Sequence, residues 1–173
     1  WLQMIFGRLR GGMAYINSVA AMLFSGISGT AVSDIASLGR PLIQLMTRAG
    51  YPLTYSAALT AATSIIGPVI PPSVGMIIYA LAYPEINLVG LMIAGVIPGI
   101  VIAVAMAAIN HLVSTRRNYR GVAETLRRPD YARNTWRALP ALVLPVLILG
   151  GIASGAFTPT EASVVAVFYA LFA

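Results

Sequence analysis

Two short stretches of this chain gather the residue types that could hold a small cation. Residues 25–34 read Ser-Gly-Ile-Ser-Gly-Thr-Ala-Val-Ser-Asp, and residues 67–73 read Gly-Pro-Val-Ile-Pro-Pro-Ser. Their hydroxyls and freed carbonyls are neutral oxygen ligands, which suit a hard cation such as Na⁺ that must bind and then leave. The sequence has no cysteine, no phosphate loop and no paired carboxylates, so it predicts neither an enzyme nor a bound cofactor.

The second stretch interrupts an otherwise apolar segment. Its three prolines remove three backbone donors, and Pro71 and Pro72 push the residues before them toward extended geometry. A helix broken at membrane depth leaves carbonyls that hydrocarbon cannot satisfy, so protein, water or an ion must pair with them. Many secondary transporters build cation and substrate sites from such discontinuous helices. A proline kink without a ligand is the alternative, although a kink needs only one proline.

Composition indicates a membrane protein. Of the 173 residues, 58% are hydrophobic and only 9% charged, with a mean hydropathy of +0.84, whereas a soluble domain has about 25% charged residues. The net charge is +6, but every basic residue is an arginine, and all of them except Arg40 lie between apolar segments. That distribution is typical of membrane orientation and argues against nucleic-acid binding. The chain begins and ends inside apolar runs, so we expect a fragment.

Residues 13–48 are predicted to form two half-length helices joined by the 25–34 stretch. Each arm would be about 20 Å long, and arginines mark both outer ends, at Arg8, Arg10 and Arg48. Because both ends are basic, we favour a re-entrant hairpin over one long kinked span.

The segments that follow alternate between apolar spans and short turns. Residues 52–83 are predicted to form the broken helix, and 88–113 a continuous helix in which Gly95 and Gly99 permit close packing. The connector 114–138 carries seven of the eleven arginines. It is either an amphipathic helix lying on the membrane or a solvated loop.

After the connector, the sequence predicts another span over 138–156 and a final helix. The turn 157–161 would end at Thr160 as N-cap, with Glu161 in the first helical turn. If the hairpin opens to the cytoplasm, its ends and the arginine-rich connector are inside. The turns 84–87 and 157–161, which contain glutamates and no arginine, are then outside.

Helix N-termini at the two polar stretches suit an anionic substrate, because the positive ends of their dipoles point inward. We place these N-termini after Ser33 and after Ser73. Asp34 is the one intramembrane acid, and it is equally well explained as the cap of the second arm or as a functional group. Arg40 sits part-way along the same arm and fits no predicted role.

Three motifs, in this order along nearly the whole chain, closely resemble the large membrane subunit of TRAP (tripartite ATP-independent periplasmic) transporters of the ion-transporter superfamily. They are Ser-Gly-Ile-Ser-Gly-Thr-Ala-Val-Ser-Asp (25–34), Gly-Pro-Val-Ile-Pro-Pro-Ser (67–73) and Phe-Thr-Pro-Thr-Glu-Ala (157–162). The resemblance implies an all-α polytopic helical bundle in the bacterial inner membrane, with an elevator-type inverted-repeat fold. Residues 1–113 would be the first repeat, and residues 139–173 the truncated start of the second.

The resemblance also implies Na⁺-coupled import of organic acids such as C4-dicarboxylates or sialic acid. Its partners would be a small membrane subunit and a periplasmic substrate-binding protein. Carried over by motif, a sodium site would use Ser25, Ser28 and backbone oxygens around Gly67, Ile70 and Pro72. We assign substrate contacts to Gly29, Thr30 and Ser73.

Two other functions stay open. One is a related dicarboxylate carrier that needs no binding protein, against which the Phe-Thr-Pro-Thr-Glu turn argues. The other is a non-transporting membrane scaffold, which would have no need of two costly polar breaks.

Overall fold

A computed structural model describes residues 2–7, 9–119, 136, 139–140, 143–144, 146–148, 150–152 and 154–172. All regular structure in these ranges is helical and none of it is strand, which confirms an all-α protein at this level. The helices are α1 (Leu2–Phe6), α2 (Gly12–Ser28), α3 (Ala31–Asp34), α4 (Arg40–Arg48), α5 (Leu53–Ser64), α6 (Val74–Ala82), α7 (Leu88–Arg116) and α8 (Pro159–Phe172). The described residues between 139 and 152 are also helical.

Helix α2 forms the first arm of a helical hairpin, and residues 31–48 form the second. The second arm is continuous, because a π-helical turn over Ile35–Gly39 joins α3 to α4. Met13, near the start of α2, and Met46, near the end of α4, lie in the same buried cluster, so the two arms run antiparallel. With 17 and 18 residues, the arms are about 26 and 27 Å long, longer than the predicted 20 Å.

The predicted broken helix consists of α5 and α6, separated by the non-helical residues Ile65–Ser73. Three of these nine residues are prolines, which cannot donate to the helical ladder. The peptide bond between Pro71 and Pro72 is cis. Helix α5 packs against both hairpin arms, and α6 packs against α7.

Helix α7 is the one described helix that is long and apolar enough by itself to cross a membrane. Its 29 residues extend about 43 Å, more than the roughly 30 Å of a hydrocarbon core. Every exposed residue from Ile93 to Ile109 is apolar, as expected for a surface that faces lipid. On the opposite side of α7, two glycines let the broken helix approach closely. A Cβ on Gly95 would lie 2.7 Å from the Val69 carbonyl oxygen, and one on Gly99 would lie 2.5 Å from Ile70 Cγ1.

The outer ends of the hairpin meet the C-terminal end of α7. The backbone N–H of Gly11 donates to the Tyr119 carbonyl at 3.2 Å, and the rings of Tyr51 and Tyr119 lie 4.3 Å apart. We call this region, Gly11 with Tyr51 and Tyr119, the closed end. The hairpin ends and the start of the arginine-rich connector therefore lie at the same end of the described residues. The side of the membrane on which this end lies stays a prediction.

The opposite end carries the two acidic turns. Leu88, which follows the turn 84–87, and Phe157 both pack against a cluster that includes Met92 and Ile152. Arg8 and residues 120–135 and 137–138 of the connector lie outside the described residues, so the choice between amphipathic helix and solvated loop stays a prediction.

The N-cap of the last helix is Thr158, and the prediction of Thr160 was wrong. The Thr158 hydroxyl accepts from the Glu161 N–H at 3.3 Å, and the Glu161 carboxylate accepts from the Thr158 N–H at 2.8 Å. This reciprocal capping box forms because Pro159 suits the first helical position, where no N–H is needed. Glu161 lies in the first turn, as predicted.

Candidate functional site at the hairpin tip and the helix break

The hairpin tip is shorter than the sequence predicts. Residues 25–28 remain helical, and the interruption consists of Gly29 and Thr30 alone. No proline stops α2 in this region, so its ladder continues until Gly29 takes φ +63° and turns the chain. The second arm starts at Ala31 rather than after Ser33. Ser25, a predicted sodium ligand, lies in the last turns of α2, but its side chain is outside the described residues.

Thr30, and not Asp34, caps the second arm. Its hydroxyl accepts from the Ser33 N–H at 3.3 Å, and its backbone is extended. The capping explanation of Asp34 was therefore wrong, because Asp34 already lies inside the first helical turn, where its side chain cannot cap.

Asp34 is instead a buried acid beside the tip. Only 3% of the residue is exposed, and its carboxylate Oδ1 accepts a hydrogen bond from the Ser28 hydroxyl. Oδ2 has no hydrogen-bond partner among the described residues. A buried carboxylate oxygen without a donor is costly, so Asp34 remains a candidate functional group.

The hairpin tip and the helix break are in direct contact. The N–H of Val74, the first residue of α6, donates to the Gly29 carbonyl at 3.3 Å. A Cβ on Gly29 would come within 2.7 Å of the Pro72 carbonyl oxygen, so only glycine fits here without displacing backbone. We call this contact of Gly29 with Pro72 and Val74 the junction. The apex of the break thus faces the tip, as the sequence predicts.

The break leaves backbone oxygens available. The Ile66 carbonyl, at the start of the break, accepts hydrogen bonds from the N–H groups of Val69 and Ile70 at 3.0 and 2.9 Å. No donor among the described residues reaches the carbonyls of Gly67, Ile70 or Pro72. Of these three predicted ligands, Pro72 lies at the junction. The Ile70 side chain packs toward Gly99 of α7, and Gly67 is buried within the break.

An open cavity of about 260 Å³ lies beside the junction. It is lined by the tip, by the start of α6 and by residues after the connector, including Ser28, Gly29, Pro72, Val74, Ile152 and Ala166. Ser28 and Gly29 thus border the same space as Pro72, although they lie more than forty residues apart in the sequence. The cavity is large enough for an ion and several waters.

Ser73 and Thr30 occupy equivalent places on the two sides of the junction. The Ser73 hydroxyl caps α6 by accepting from the Met76 N–H at 3.4 Å, and Ser73 is fully buried. Thr30 is partly exposed. Two helix N-termini, those of α3 and α6, therefore begin within a few residues of the same contact, and each presents the positive end of its dipole there.

A buried polar network that the sequence did not predict connects α2, α5 and α7. The Asn17 amide donates to the Thr60 hydroxyl at 2.8 Å. Asn110 donates to the Ser18 hydroxyl at 2.9 Å and accepts from the Tyr55 hydroxyl at 3.2 Å. An asparagine within an apolar helix is the one signal that could have revealed this network, because lipid would leave its amide unpaired.

The network lies toward the closed end, where Tyr51 is also buried. Burial raises the pKa of the Tyr51 phenol, which is in the loop between α4 and α5, to about 12. The buried polar groups at this end are thus neutral and link the helices to one another. At the junction, by contrast, the Pro72 carbonyl has no partner among the described residues.

The family model of the tripartite ATP-independent periplasmic transporter, DctM component, matches residues 1–173. The sialic acid TRAP transporter permease protein SiaT of Haemophilus influenzae is 39% identical over 170 residues, which cover 96% of this chain and 27% of that protein. The large permease SiaM of Vibrio cholerae is 38% identical over 168 residues, covering 97% of this chain and 39% of SiaM.

The C4-dicarboxylate large permease DctM of Pseudomonas aeruginosa is 37% identical over 166 residues, which cover 96% of this chain and 38% of that protein. The chain thus spans between 27% and 39% of the length of these three relatives. The polar hairpin tip, the proline-rich break and the Phe-Thr-Pro-Thr-Glu turn all lie inside the matched region. The chain belongs to the DctM family, the large membrane component of tripartite ATP-independent periplasmic transporters.

Proposed function

We propose that this chain forms the first-repeat half of a transport site in a secondary transporter that imports organic acids together with Na⁺. The observation that carries the proposal is the junction. There a hairpin tip and a helix break bring Ser28 and Pro72, whose carbonyl is unpaired among the described residues, to one cavity. The buried Asp34 accepts from the Ser28 hydroxyl beside this cavity. A scaffold that only packs against partners gains nothing from such a junction, because each unpaired polar group destabilises it.

The cation would be held by neutral oxygens of this chain. The Pro72 carbonyl and the Ser28 hydroxyl border the cavity, and Asp34 stands behind Ser28. Ser25, Gly67 and Ile70 are the further candidate ligands from the sequence. Oxygens without formal charge favour a weakly held monovalent cation over a tightly held divalent one, which fits an ion that must be released in every cycle.

The substrate would be an organic acid that binds at the same cavity. Gly29, Thr30 and Ser73 surround the N-termini of α3 and α6, and helix N-termini attract carboxylates. Relatives are named for sialic acid and for C4-dicarboxylates, and both compounds carry carboxylate groups. A small membrane subunit and a periplasmic substrate-binding protein would complete the system, as the tripartite name of the family implies.

In this proposal the protein lies in the inner membrane and the hairpin is re-entrant. Both outer ends of the hairpin, at the closed end, face the cytoplasm. The part of the chain with the junction would move as one body in an elevator-type cycle. The second repeat would supply the other half of the site.

The test is uptake by the complete system reconstituted in liposomes. We expect uptake that requires an inward Na⁺ gradient and the binding protein and runs without ATP. The variant carrying Pro71→Ala and Pro72→Ala should insert normally but lose uptake, since α5 and α6 could then join into one helix. Undiminished uptake in sodium-free buffer, with no membrane potential imposed, would exclude Na⁺ coupling. Uptake without the binding protein would instead favour a two-component carrier.

A further inference from the structure

The outward face of α4 carries an exposed polar row. Arg40, Gln44 and Arg48 follow one another at intervals of four residues, and all three side chains are exposed. The opposite face is apolar and buried, with Leu42 and Met46 only 7% and 1% exposed. Residues four apart lie above one another on a helix, so we call these three residues the polar row.

Lipid is an unfavourable environment for this row. Exposed positions on α7 between Ile93 and Ile109 are all apolar, which is what a lipid-facing surface requires. The polar row lies on the second arm of the hairpin, where it presents two guanidinium groups and an amide. Charged side chains in hydrocarbon are costly and normally face protein or a water-filled cavity.

The charge of the row is not compensated within the described residues. Neither Arg40 nor Arg48 has an ion pair there. Asp34 is buried and accepts a hydrogen bond from Ser28. In the turns at the opposite end lie the other two acids that the structure describes, Glu85 and Glu161. An exposed face with two positive charges and no local counterion is complementary to an anion in water.

The row also leads from the candidate site to the closed end. Arg40 lies ten residues beyond Thr30 of the tip, about 15 Å along the arm, and Arg48 lies about 12 Å further. The next residues after Arg48 form the loop of the closed end, where Arg10, Arg116 and Arg117 are also exposed. The exposed positive charges therefore continue from the middle of the arm to one end of the bundle.

We propose that the polar row forms one wall of a water-filled path along which the carboxylate of the substrate passes between the junction and the closed end. This inference rests on the proposed function, because an organic acid is its ligand. A guanidinium binds carboxylates in a planar, bidentate geometry. Gln44 separates the two arginines with a neutral group, so that an anion is attracted without being trapped.

The test is thiol reactivity in the full-length protein with all other cysteines removed. Gln44→Cys is labelled with the anionic reagent 2-sulfonatoethyl methanethiosulfonate and the cationic reagent 2-(trimethylammonium)ethyl methanethiosulfonate, each relative to its rate with a free thiol. We expect both to react and the anionic reagent to be favoured by roughly tenfold. Leu42→Cys on the buried face and Ile97→Cys on the apolar face of α7 are the controls, and neither should react.

A second variant tests the charge. Arg40→Gln, added to Gln44→Cys, should reduce the anionic preference several-fold, while Arg40→Lys should keep it. If Arg40→Gln does not insert, raising the salt concentration on the Gln44→Cys protein alone should reduce the preference, because salt screens exposed charges.

No reaction at Gln44→Cys with either charged reagent would overturn the proposal, since the row would then be covered by protein or lipid. Equal reaction with both reagents, unchanged by Arg40→Gln or by salt, would overturn the anion path. Sodium-dependent uptake is measured on the same preparations. Uptake that does not depend on Na⁺, together with an intact preference for the anionic reagent, contradicts the proposed function and leaves the path. Na⁺-dependent uptake without that preference contradicts the path alone.

Discussion

The backbone N–H of Val74 donates to the carbonyl oxygen of Gly29 at 3.3 Å, and this bond joins two segments that are separated by 45 positions in the sequence. Val74 is the first residue of α6, whose N–H has no partner within its own helix. Gly29 directly follows the last residue of α2, at the hairpin tip. Each segment thus satisfies a group that the other leaves free, which explains why two irregular segments are stable side by side in an apolar protein.

Gly29→Ala should separate the tip from the break. The new Cβ would lie 2.7 Å from the Pro72 carbonyl oxygen and 3.1 Å from the Val74 nitrogen, so backbone atoms would have to move. We expect uptake by the complete system to fall by roughly tenfold, equivalent to about 1.4 kcal/mol, with normal insertion. Uptake is measured in liposomes with an imposed Na⁺ gradient.

Gly50→Ala is the matched control for this variant. Gly50 has a similar positive φ of +87°, but a Cβ there meets nothing within 4 Å. Both variants should lose about 1–2 kcal/mol of stability from the positive φ, whereas only Gly29→Ala should lose transport. Equal uptake by the two variants would mean that the contact at Gly29 has no functional importance.

Gly95→Ala should disturb the packing of α7 against the break. Its Cβ would lie 2.7 Å from the Val69 carbonyl oxygen and 2.5 Å from Met76 Cε. Gly90→Ala in the same helix meets no atom closer than 3.8 Å, so it should be neutral or slightly stabilising through its higher helix propensity. Thermal unfolding of the purified proteins should show a lower melting temperature for Gly95→Ala alone, and a similar drop for both would contradict the close packing.

The sequence predicted the break better than the tip, for a local reason. Three prolines within five residues leave too few backbone donors for a helix, whereas the single Pro98 is tolerated inside α7. Gly67–Ser73 was therefore recognisable without any tertiary contact. Serines and glycines only weaken a helix, so the end of α2 could not be located within residues 25–34. The cap at Thr30 likewise depends on the position of the turn. The turn is at Gly29, which contacts Pro72 and Val74 from a distant part of the sequence.

An asparagine in an apolar helix indicates that a polar partner exists, but the partners in the network toward the closed end could not be predicted, because they are far apart in the sequence. Asn110 and Ser18 are separated by 92 positions, and nothing local indicates that they meet. Apolar composition predicted the helices that carry them, but their pairing depends on how α2, α5 and α7 cross.

Asn110→Ala should lower stability without removing the transport site. It removes the bonds to Ser18 and Tyr55, and we expect a loss of about 1–2 kcal/mol in the free energy of unfolding. Tyr55→Phe removes the same 3.2 Å bond to Asn110. The double variant should therefore cost less than the sum of the two single variants, and strict additivity would show that the bond contributes nothing.

The orientation in the membrane is predicted from the charges at the two ends of the bundle, arginines at one and glutamates at the other. We expect Asn118, next to the closed end, to be cytoplasmic and Glu85 to be periplasmic. Single cysteines at these two exposed positions, probed in whole cells with an impermeant thiol reagent, test this. Glu85 is preferable to Asn87, whose side chain caps α7. Labelling of Asn118→Cys from outside, or equal labelling of both, would contradict the predicted orientation.

The most direct test of the junction as a cation site is the Na⁺ dependence of uptake by Ser28→Ala. The Ser28 hydroxyl borders the cavity and donates to Asp34, so its loss removes one oxygen and leaves the buried carboxylate with one partner fewer. We predict that the Na⁺ concentration for half-maximal uptake rises by roughly tenfold, because interactions of this kind with a charged group contribute about 1.5–3 kcal/mol. The affinity of the binding protein for substrate should be unchanged. An unaltered Na⁺ dependence in a normally inserted Ser28→Ala protein would contradict a cation site at the junction.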